Sequence, residues 1–193
     1  MNPILRDAIA ELYDGITRRW NDTAEYIEAH DLDIATIDRF AGSLTVTEIV
    51  KLPHRRFALP DGHGAETVTA AVVEALASDG RTPMDLCAWS LGDPRDIRTL
   101  YGQCAVLGLS QAFDASTYIF DEPLVIHKTA QDWLRAGCDG ACIITPRLAA
   151  RTLMDVPGPI AAQDAGHAAA LRKMIQAPAE RVKIVIPETR QAA

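Results

Sequence analysis

Polar and charged side chains follow three short apolar runs in the C-terminal part of the chain. They are His127, Lys128 and Thr129 after the first run, Thr145 and Arg147 after the second, and Gln163, Asp164 and His167 after the third. The imidazole of His127 and the cations of Lys128 and Arg147 suit a phosphate group, which binds through charge-assisted hydrogen bonds. The predicted ligand-binding residues are therefore His127, Lys128, Thr129, Arg147, Asp164 and His167.

Each type of residue in this set also has a structural interpretation. Thr129 and Asp164 precede predicted helices, and Thr and Asp commonly cap a helix through a side-chain oxygen. A single histidine at a strand end, such as His127, is more often hydrogen-bonded within the fold than catalytic. Both interpretations stay open, and the sequence identifies no catalytic residue.

The apolar runs predict a parallel sheet that positions these side chains. Four runs alternate with three segments of helical period, which is the pattern of βαβ units. The runs are 124–126, 141–144, 159–162 and 182–186. Ligands of such sheets bind outside the carboxyl ends of the strands, where the polar residues lie. We expect a four-stranded parallel sheet flanked by helices, with Val125, Ile143, Ile160 and Ile184 in one core.

The rest of the chain is predicted to form a helical arm and a strand-rich middle segment. Residues 1–42 have apolar side chains at helical spacing, with Asp33 as the cap of the last helix and Gly42 as its end. The pattern then predicts strands at 44–52, 55–59, 85–91 and 97–100, helices at 66–78 and 104–113, and a turn at 60–64. The fold class is mixed α/β, divided at 1–42, 43–121 and 122–193.

Charge is unevenly distributed along the 193 residues. The net charge is −7, and residues 1–50 contribute −6 of it, because they hold ten acidic and four basic side chains. An acidic surface repels phosphate, so we do not expect the helical arm to bind nucleic acid non-specifically. The four cysteines have no CxxC spacing, and no apolar run reaches the roughly 20 residues of a membrane span. We therefore expect a cytoplasmic protein with reduced thiols and no membrane contact.

Motifs of common enzyme classes do not occur in the chain. There is no GxGxxG dinucleotide motif, Walker-type phosphate loop, GxSxG elbow or HExxH zinc motif. The spacing of the cysteines and histidines does not match a closed zinc site. We therefore expect neither a cofactor nor a metal.

The β-α-β-α-β-α-β order of residues 122–187 resembles the toprim fold of primases, topoisomerases and related nucleases. In that family a Glu ends the first strand and an Asp-x-Asp pair ends the third, and together they bind Mg²⁺ for phosphoryl transfer. Here His127 stands in place of the Glu, and Ala162-Gln163-Asp164 keeps only the second Asp. Because one carboxylate does not assemble the oxygen site that Mg²⁺ prefers, the resemblance implies a toprim-like domain without metal chemistry.

A second resemblance covers residues 123–137, which are similar to a segment of uncharacterised proteins from bacterial phages and integrated elements. Together the resemblances imply a non-catalytic module of phage or mobile-element origin, acting through protein contacts in a nucleic-acid transaction. Two alternatives stay open. One is a protein or enzyme that binds a small phosphorylated ligand at the carboxyl edge of the strands. The other is an acidic inhibitor that mimics nucleic acid through the helical arm.

Overall fold

The computed structural model of the chain describes residues 3–60 and 65–176. These residues form a mixed α/β protein with two sheets, a closed five-stranded barrel and a four-stranded, mostly parallel sheet. The predicted strand at 182–186 and most of the predicted turn at 60–64 lie outside the described residues. Within the described ranges no helix has the length and apolar character needed to cross a bilayer.

Three helices occupy the N-terminal part of the chain. They are α1 (Pro3–Arg18), α2 (Trp20–Ala29) and α3 (Ile34–Ala41). The Asp33 carboxylate accepts a hydrogen bond from the Ala35 N–H over 3.1 Å, and Gly42, with φ of +63°, ends α3. The predicted cap and end of this helix are confirmed.

Five strands close into the barrel. They are β1 (Thr45–Leu52), β2 (Arg56–Ala58), β3 (Thr67–Leu76), β4 (Pro83–Ser90) and β5 (Asp93–Thr99). Their order is β1-β2-β5-β4-β3, and every contact is antiparallel except that of β2 with β5. The strands predicted at 44–52, 55–59, 85–91 and 97–100 are confirmed.

Helix α1 packs against this barrel through its apolar face. Leu5 and Leu12 of α1 are buried in one cluster with Ile49 of β1 and Phe57 of β2. The spacing of the two leucines, seven residues apart, places them on one side of the helix. The barrel is thus covered by helix on this side.

The helix predicted at 66–78 is wrong, because these residues form β3 between β1 and β4. Every residue from 70 to 75 is buried. Ala70 and Val72 face the cluster that contains α1, whereas Ala71 and Val73 face a second cluster with α2 and α3. A strand covered on both faces has a continuous apolar run, from which a helical stripe is easily misread.

Four short strands form the second sheet, in the order β6-β8-β7-β9. They are β6 (Val106–Leu107), β7 (Leu124–His127), β8 (Ala141–Ile143) and β9 (Ile160–Ala162). β7 is parallel to both β8 and β9, and β6 is antiparallel to β8. Three helices follow the parallel strands in turn, α5 (Ala130–Arg135), α6 (Pro146–Met154) and α7 (Ala165–Gln176).

The helix predicted at 104–113 is wrong in its first part, where the chain forms strand β6 of this sheet. Val106 and Leu107 are fully buried and pair with β8, and only α4 (Leu109–Phe113) is helical. Gly108, with φ of +77°, separates the strand from the helix. A 3₁₀ segment, Ala115–Asp121, then leads toward β7. The short strand exists because of its tertiary pairing, and its two residues carry no periodic signal.

The alternation of side chains along β7 decides which of them enter the core of the second sheet. Leu124 and Ile126 are buried there, whereas Val125 points to the other side and is 36% exposed. The predicted place of Val125 in that core is therefore wrong. Ile143 and Ile160 pack against the core as predicted.

The two sheets share a further buried cluster. Trp89 and Ile97 of the barrel belong to the same cluster as Trp133 of α5 and Ile144, the residue after β8. The carboxyl end of β8 is thereby held against the barrel. This contact positions the cavity described below.

Candidate functional site

The carboxyl ends of β7 and β9 bring most of the predicted site residues together. After β7 the chain passes to β8 on one side and later returns to β9 on the other, and ligands of α/β sheets bind at such an edge. Six residues lie there and are called the carboxyl-edge cluster: His127, Lys128, Thr129, Gln163, Asp164 and His167.

Lys128 connects the two strand ends. Its backbone N–H donates to Gln163 Oε1 over 2.8 Å, and its Nζ forms an ion pair with Asp164 Oδ2. The pKa of the Asp164 carboxyl is lowered, first by the hydrogen bond from Lys128 and then by the backbone N–H of His167. The cation of this cluster is thus neutralised by its own carboxylate.

Two residues of the cluster cap the helices that follow them. Thr129 Oγ1 accepts a hydrogen bond from the Asp132 N–H (3.0 Å) at the start of α5. Asp164 Oδ1 accepts one from the His167 N–H (2.8 Å) at the start of α7. These bonds are the ones that the capping interpretation predicts for both residue types.

The two histidines of the cluster also bond within the fold. His127 is 8% exposed, and its Nε2–H donates to the Asp139 carbonyl oxygen over 2.8 Å, while its Nδ1 has no partner among the described residues. His167 Nδ1 accepts a hydrogen bond from the Gln163 N–H over 3.3 Å. The pKa of His167 is lowered by burial and, to a smaller extent, by the charge of Lys128.

Arg147, the remaining predicted site residue, follows β8 rather than β7 or β9. It is exposed on the first turn of α6. The two residues before it, Thr145 and Pro146, line a cavity that faces the barrel. The structure thus places this cation beside a different feature from Lys128.

This cavity, of about 240 Å³, lies between the tip of the β1–β2 hairpin, β5 and the carboxyl end of β8. We call it the hairpin cavity, and its lining residues are His54, Arg55, Arg56, Ile97, Thr99, Gly102, Ile144, Thr145 and Pro146. Three of these are basic and none is acidic. Sequence reasoning missed it, although the run His54-Arg55-Arg56 in a largely acidic chain was a usable signal.

The tip of the hairpin has an uncommon backbone. The Arg56 N–H donates to the Pro53 carbonyl over 3.2 Å, and both residues between them have positive φ, +58° at His54 and +56° at Arg55. This is the pattern of a type I′ turn, which normally contains Asn or Gly. The Thr99 N–H donates to the Arg55 carbonyl over 3.0 Å and so ties the tip to β5.

The guanidinium of Arg56 lies along one wall of the cavity. Its Nε donates to the Leu100 carbonyl over 2.8 Å, and its Nη1 lies against Gly102. A Cβ added at Gly102 would come within 2.9 Å of Nη1, and the φ of +72° also favours glycine. Glycine at this position therefore permits the guanidinium to occupy the wall.

A buried carboxylate holds the loop that contains Gly102. Asp85 is fully buried and accepts hydrogen bonds from the N–H groups of Leu86 (2.8 Å), Tyr101 (2.9 Å) and Gln103 (2.7 Å). Hydrogen bonds to a charged acceptor are stronger than those between neutral groups. Asp85 therefore fixes one side of the hairpin cavity.

The carboxyl-edge cluster does not fit the Mg²⁺ ion of the toprim family. Asp164 is its single carboxylate, one oxygen of which pairs with Lys128 while the other accepts the His167 N–H. Mg²⁺ requires several oxygen ligands, and a bound ammonium group opposes a second cation. Over residues 3–60 and 65–176, no group of three or more His, Cys, Asp or Glu side chains is arranged to hold a metal.

The four thiols of the chain are all buried. Burial raises the pKa of Cys87 and Cys142, and it raises the pKa of Cys138 to about 12. Because the thiolate is the reactive form, Cys87, Cys138 and Cys142 are poor nucleophiles. They serve as small apolar residues of the core.

Comparisons of the chain with models of protein families, with curated proteins and with solved structures each found no match.

Proposed function

We propose that this protein is a non-catalytic, toprim-like module of phage or mobile-element origin that acts through protein contacts in a nucleic-acid transaction. The ion pair between Lys128 and Asp164 is the observation that carries the proposal. A toprim enzyme would need carboxylates free to bind Mg²⁺ at this edge, whereas here an ammonium group neutralises the one that is present. The edge then serves to fasten β7 to β9.

An exposed apolar segment supports the part of the proposal that concerns protein contacts. Phe120 is 94% exposed and Ile119 is 52% exposed on the 3₁₀ segment before β7. Phe120 and Asp121 have φ of +62° and +60°, in the left-handed region that bulky residues disfavour. An aromatic side chain held in solvent by such a backbone suits contact with a partner protein.

Titration with Mg²⁺, together with a variant that lacks the Asp164 carboxylate, tests whether the protein is non-catalytic. Calorimetric titration of the wild type with Mg²⁺ is expected to show no saturable binding below millimolar concentration, and incubation with DNA or RNA no cleavage or primer synthesis. The Asp164→Ala variant is expected to behave identically. Tight Mg²⁺ binding or activity that disappears in Asp164→Ala would contradict the proposal.

Affinity capture from the native host tests the protein contacts. The baits are the wild type, an Ile119→Ser/Phe120→Ser variant, and Met154→Ser as a control, since Met154 is 67% exposed on a different element. We expect one protein to be retained by the wild type and the control, to be lost from the double variant, and to remain after nuclease treatment. Identical capture by all three baits, or capture of nucleic acid alone, would count against the proposal.

A further inference from the structure

The hairpin cavity lies in a locally basic part of an acidic protein. Residues 51–60 contain Lys51, Arg55 and Arg56 and no acidic residue, whereas residues 1–50 contribute −6 to the net charge of −7. The sign of the charge therefore reverses at the β1–β2 hairpin. An anion would meet a favourable potential there and an unfavourable one near α1 and α2.

Ion pairing leaves the cations of the cavity available. Asp96 pairs with Lys51 (2.8 Å) and with Arg98 (3.0 Å), outside the cavity lining. In contrast, neither Arg55 nor Arg56 forms an ion pair with a described residue. The two guanidinium groups beside the cavity thus keep their charge for a ligand.

The backbone of the turn at His54 and Arg55 also points to a ligand. Both central positions have positive φ, and Asn-Gly is the pair that such a turn favours. His54 and Arg55 are disfavoured there, so the sequence keeps two long polar side chains at a cost in stability. Strained residues of this kind concentrate at binding sites, where the side chain serves the ligand.

The opposite wall contributes a hydroxyl group. Thr145 precedes the nine-residue helix α6, and its side chain makes no capping hydrogen bond to that helix. Pro146 occupies the first turn and has no N–H to be capped. Thr145 lines the cavity, and its hydroxyl, which does not cap α6, can donate to an oxygen atom.

We propose that the hairpin cavity binds the phosphate group of a small phosphorylated molecule, with Arg55 and Arg56 as its charged ligands and Thr145 as a neutral donor. The planar guanidinium groups match the oxygen pairs of a phosphate. At about 240 Å³ the cavity is smaller than the roughly 300–1,000 Å³ of most ligand pockets, so it suits one phosphate and a small organic unit. This binding activity is additional to the non-catalytic role proposed above.

A polyanion such as nucleic acid fits the same features less well. Binding along a nucleic acid uses many successive phosphate contacts, whereas Arg55 and Arg56 lie at a single cavity. The acidic residues of α1 and α2 would repel the remainder of a long strand. The chemistry therefore favours a phosphate monoester that enters the cavity alone.

Calorimetric titration with inorganic phosphate at low ionic strength tests the site, with sodium chloride of matched ionic strength as the blank. The wild type is expected to bind one phosphate saturably. Arg55→Gln and Arg56→Gln are each expected to weaken binding about tenfold, the loss of one charge-assisted hydrogen bond. The control is Arg95→Gln, which removes the same charge from an exposed residue of β5 outside the cavity and should leave affinity within about twofold.

Two results would overturn the proposal. One is an absence of saturable phosphate binding to the wild type. The other is an equal loss of affinity in Arg95→Gln and Arg55→Gln, which would reveal only a general charge effect. Because Arg56 also bonds to the Leu100 carbonyl, circular dichroism should accompany each variant, and Arg55→Gln alone decides the test if Arg56→Gln fails to fold.

A second titration separates the possible sources of the phosphate. A phosphorylated monosaccharide should bind at least as tightly as inorganic phosphate, and a single-stranded oligonucleotide should not compete with it. Oligonucleotide binding more than about tenfold tighter than the sugar phosphate, and lost in Arg55→Gln, would overturn the assignment to a small molecule.

Discussion

The carboxyl-edge cluster and the hairpin cavity are two polar regions that use their charges differently. At the edge, Lys128 pairs with Asp164, and the remaining oxygen of Asp164 caps α7. At the cavity, Arg55 and Arg56 form no ion pair with a described residue, and the nearby buried carboxylate of Asp85 bonds to backbone N–H groups. The lysine of the edge is therefore neutralised by its own cluster, whereas the cavity leaves cations for a ligand.

This difference shows that the type and position of a residue do not by themselves define a binding site. The edge has the location at which α/β sheets bind ligands, but its lysine is paired with Asp164, and Thr129 and Asp164 cap helices. The cavity has an ordinary location at a hairpin tip, but its backbone is strained, and its two arginines form no ion pair within the part of the chain that the structure describes. Whether a polar region can bind a ligand depends on whether the fold leaves its hydrogen-bond donors without partners.

Replacement of Asp85, which supports the cavity wall, is expected to have the largest effect. Asp85→Ala leaves three N–H groups without their acceptor, so we expect the free energy of unfolding to fall by about 3–5 kcal/mol. Denaturant unfolding measures this loss. Asp85→Asn keeps one acceptor oxygen and should lose less, and a loss below about 1 kcal/mol in Asp85→Ala would remove Asp85 as the support of the cavity wall.

Replacement of the two central residues of the hairpin turn is expected to stabilise the protein. His54→Asn combined with Arg55→Gly installs the favoured Asn-Gly pair, and relief of two left-handed residues should raise the free energy of unfolding by about 1–2 kcal/mol. The same variant should lose phosphate binding, because the Arg55 guanidinium is gone. A more stable protein that binds phosphate as the wild type does would separate the strain from the function and contradict the account.

At the carboxyl edge the expected effect is smaller and depends on pH. The lowered pKa of Asp164 means that its carboxylate stabilises the fold above the ordinary value of 3.8, and that this contribution is lost as the pH falls through the lowered pKa. Asp164→Asn should therefore reduce the melting temperature at neutral pH but not well below 3.8. The reduction should be modest and should shrink in high salt, because the pair with Lys128 is partly exposed. Because Asn also caps helices well, an equal reduction at both pH values would show that the ion pair is not the cause and would contradict this prediction.

Much of the fold followed from local patterns in the sequence. The alternation of Thr, Val and Ile predicted β1, and the spacing of apolar residues together with Asp33 and Gly42 predicted α3. β3 was mistaken for a helix because both of its faces are buried, and β6 was missed because two residues have no period. Burial on two faces and pairing at a distance are tertiary properties, which local spacing does not contain.

The candidate site, too, could be predicted from the sequence only in part. The topology rule for parallel strands was enough to place Lys128 and Asp164 at one edge, but their ion pair depends on the register of β7 against β9. The hairpin cavity was beyond such reasoning, because its walls come from 54–56, 97–102 and 144–146. These segments meet only when the barrel closes and β8 packs against it.

Titration of the wild-type protein with inorganic phosphate, followed by ¹⁵N–¹H nuclear magnetic resonance, compares the two regions in one measurement. We expect saturable shifts of the amides of Arg55, Gly102 and Thr145, while those of Lys128 and Gln163 change no more than in sodium chloride of the same ionic strength. Saturable shifts at Lys128 and Gln163, with the amides of the hairpin cavity unchanged, would contradict this expectation.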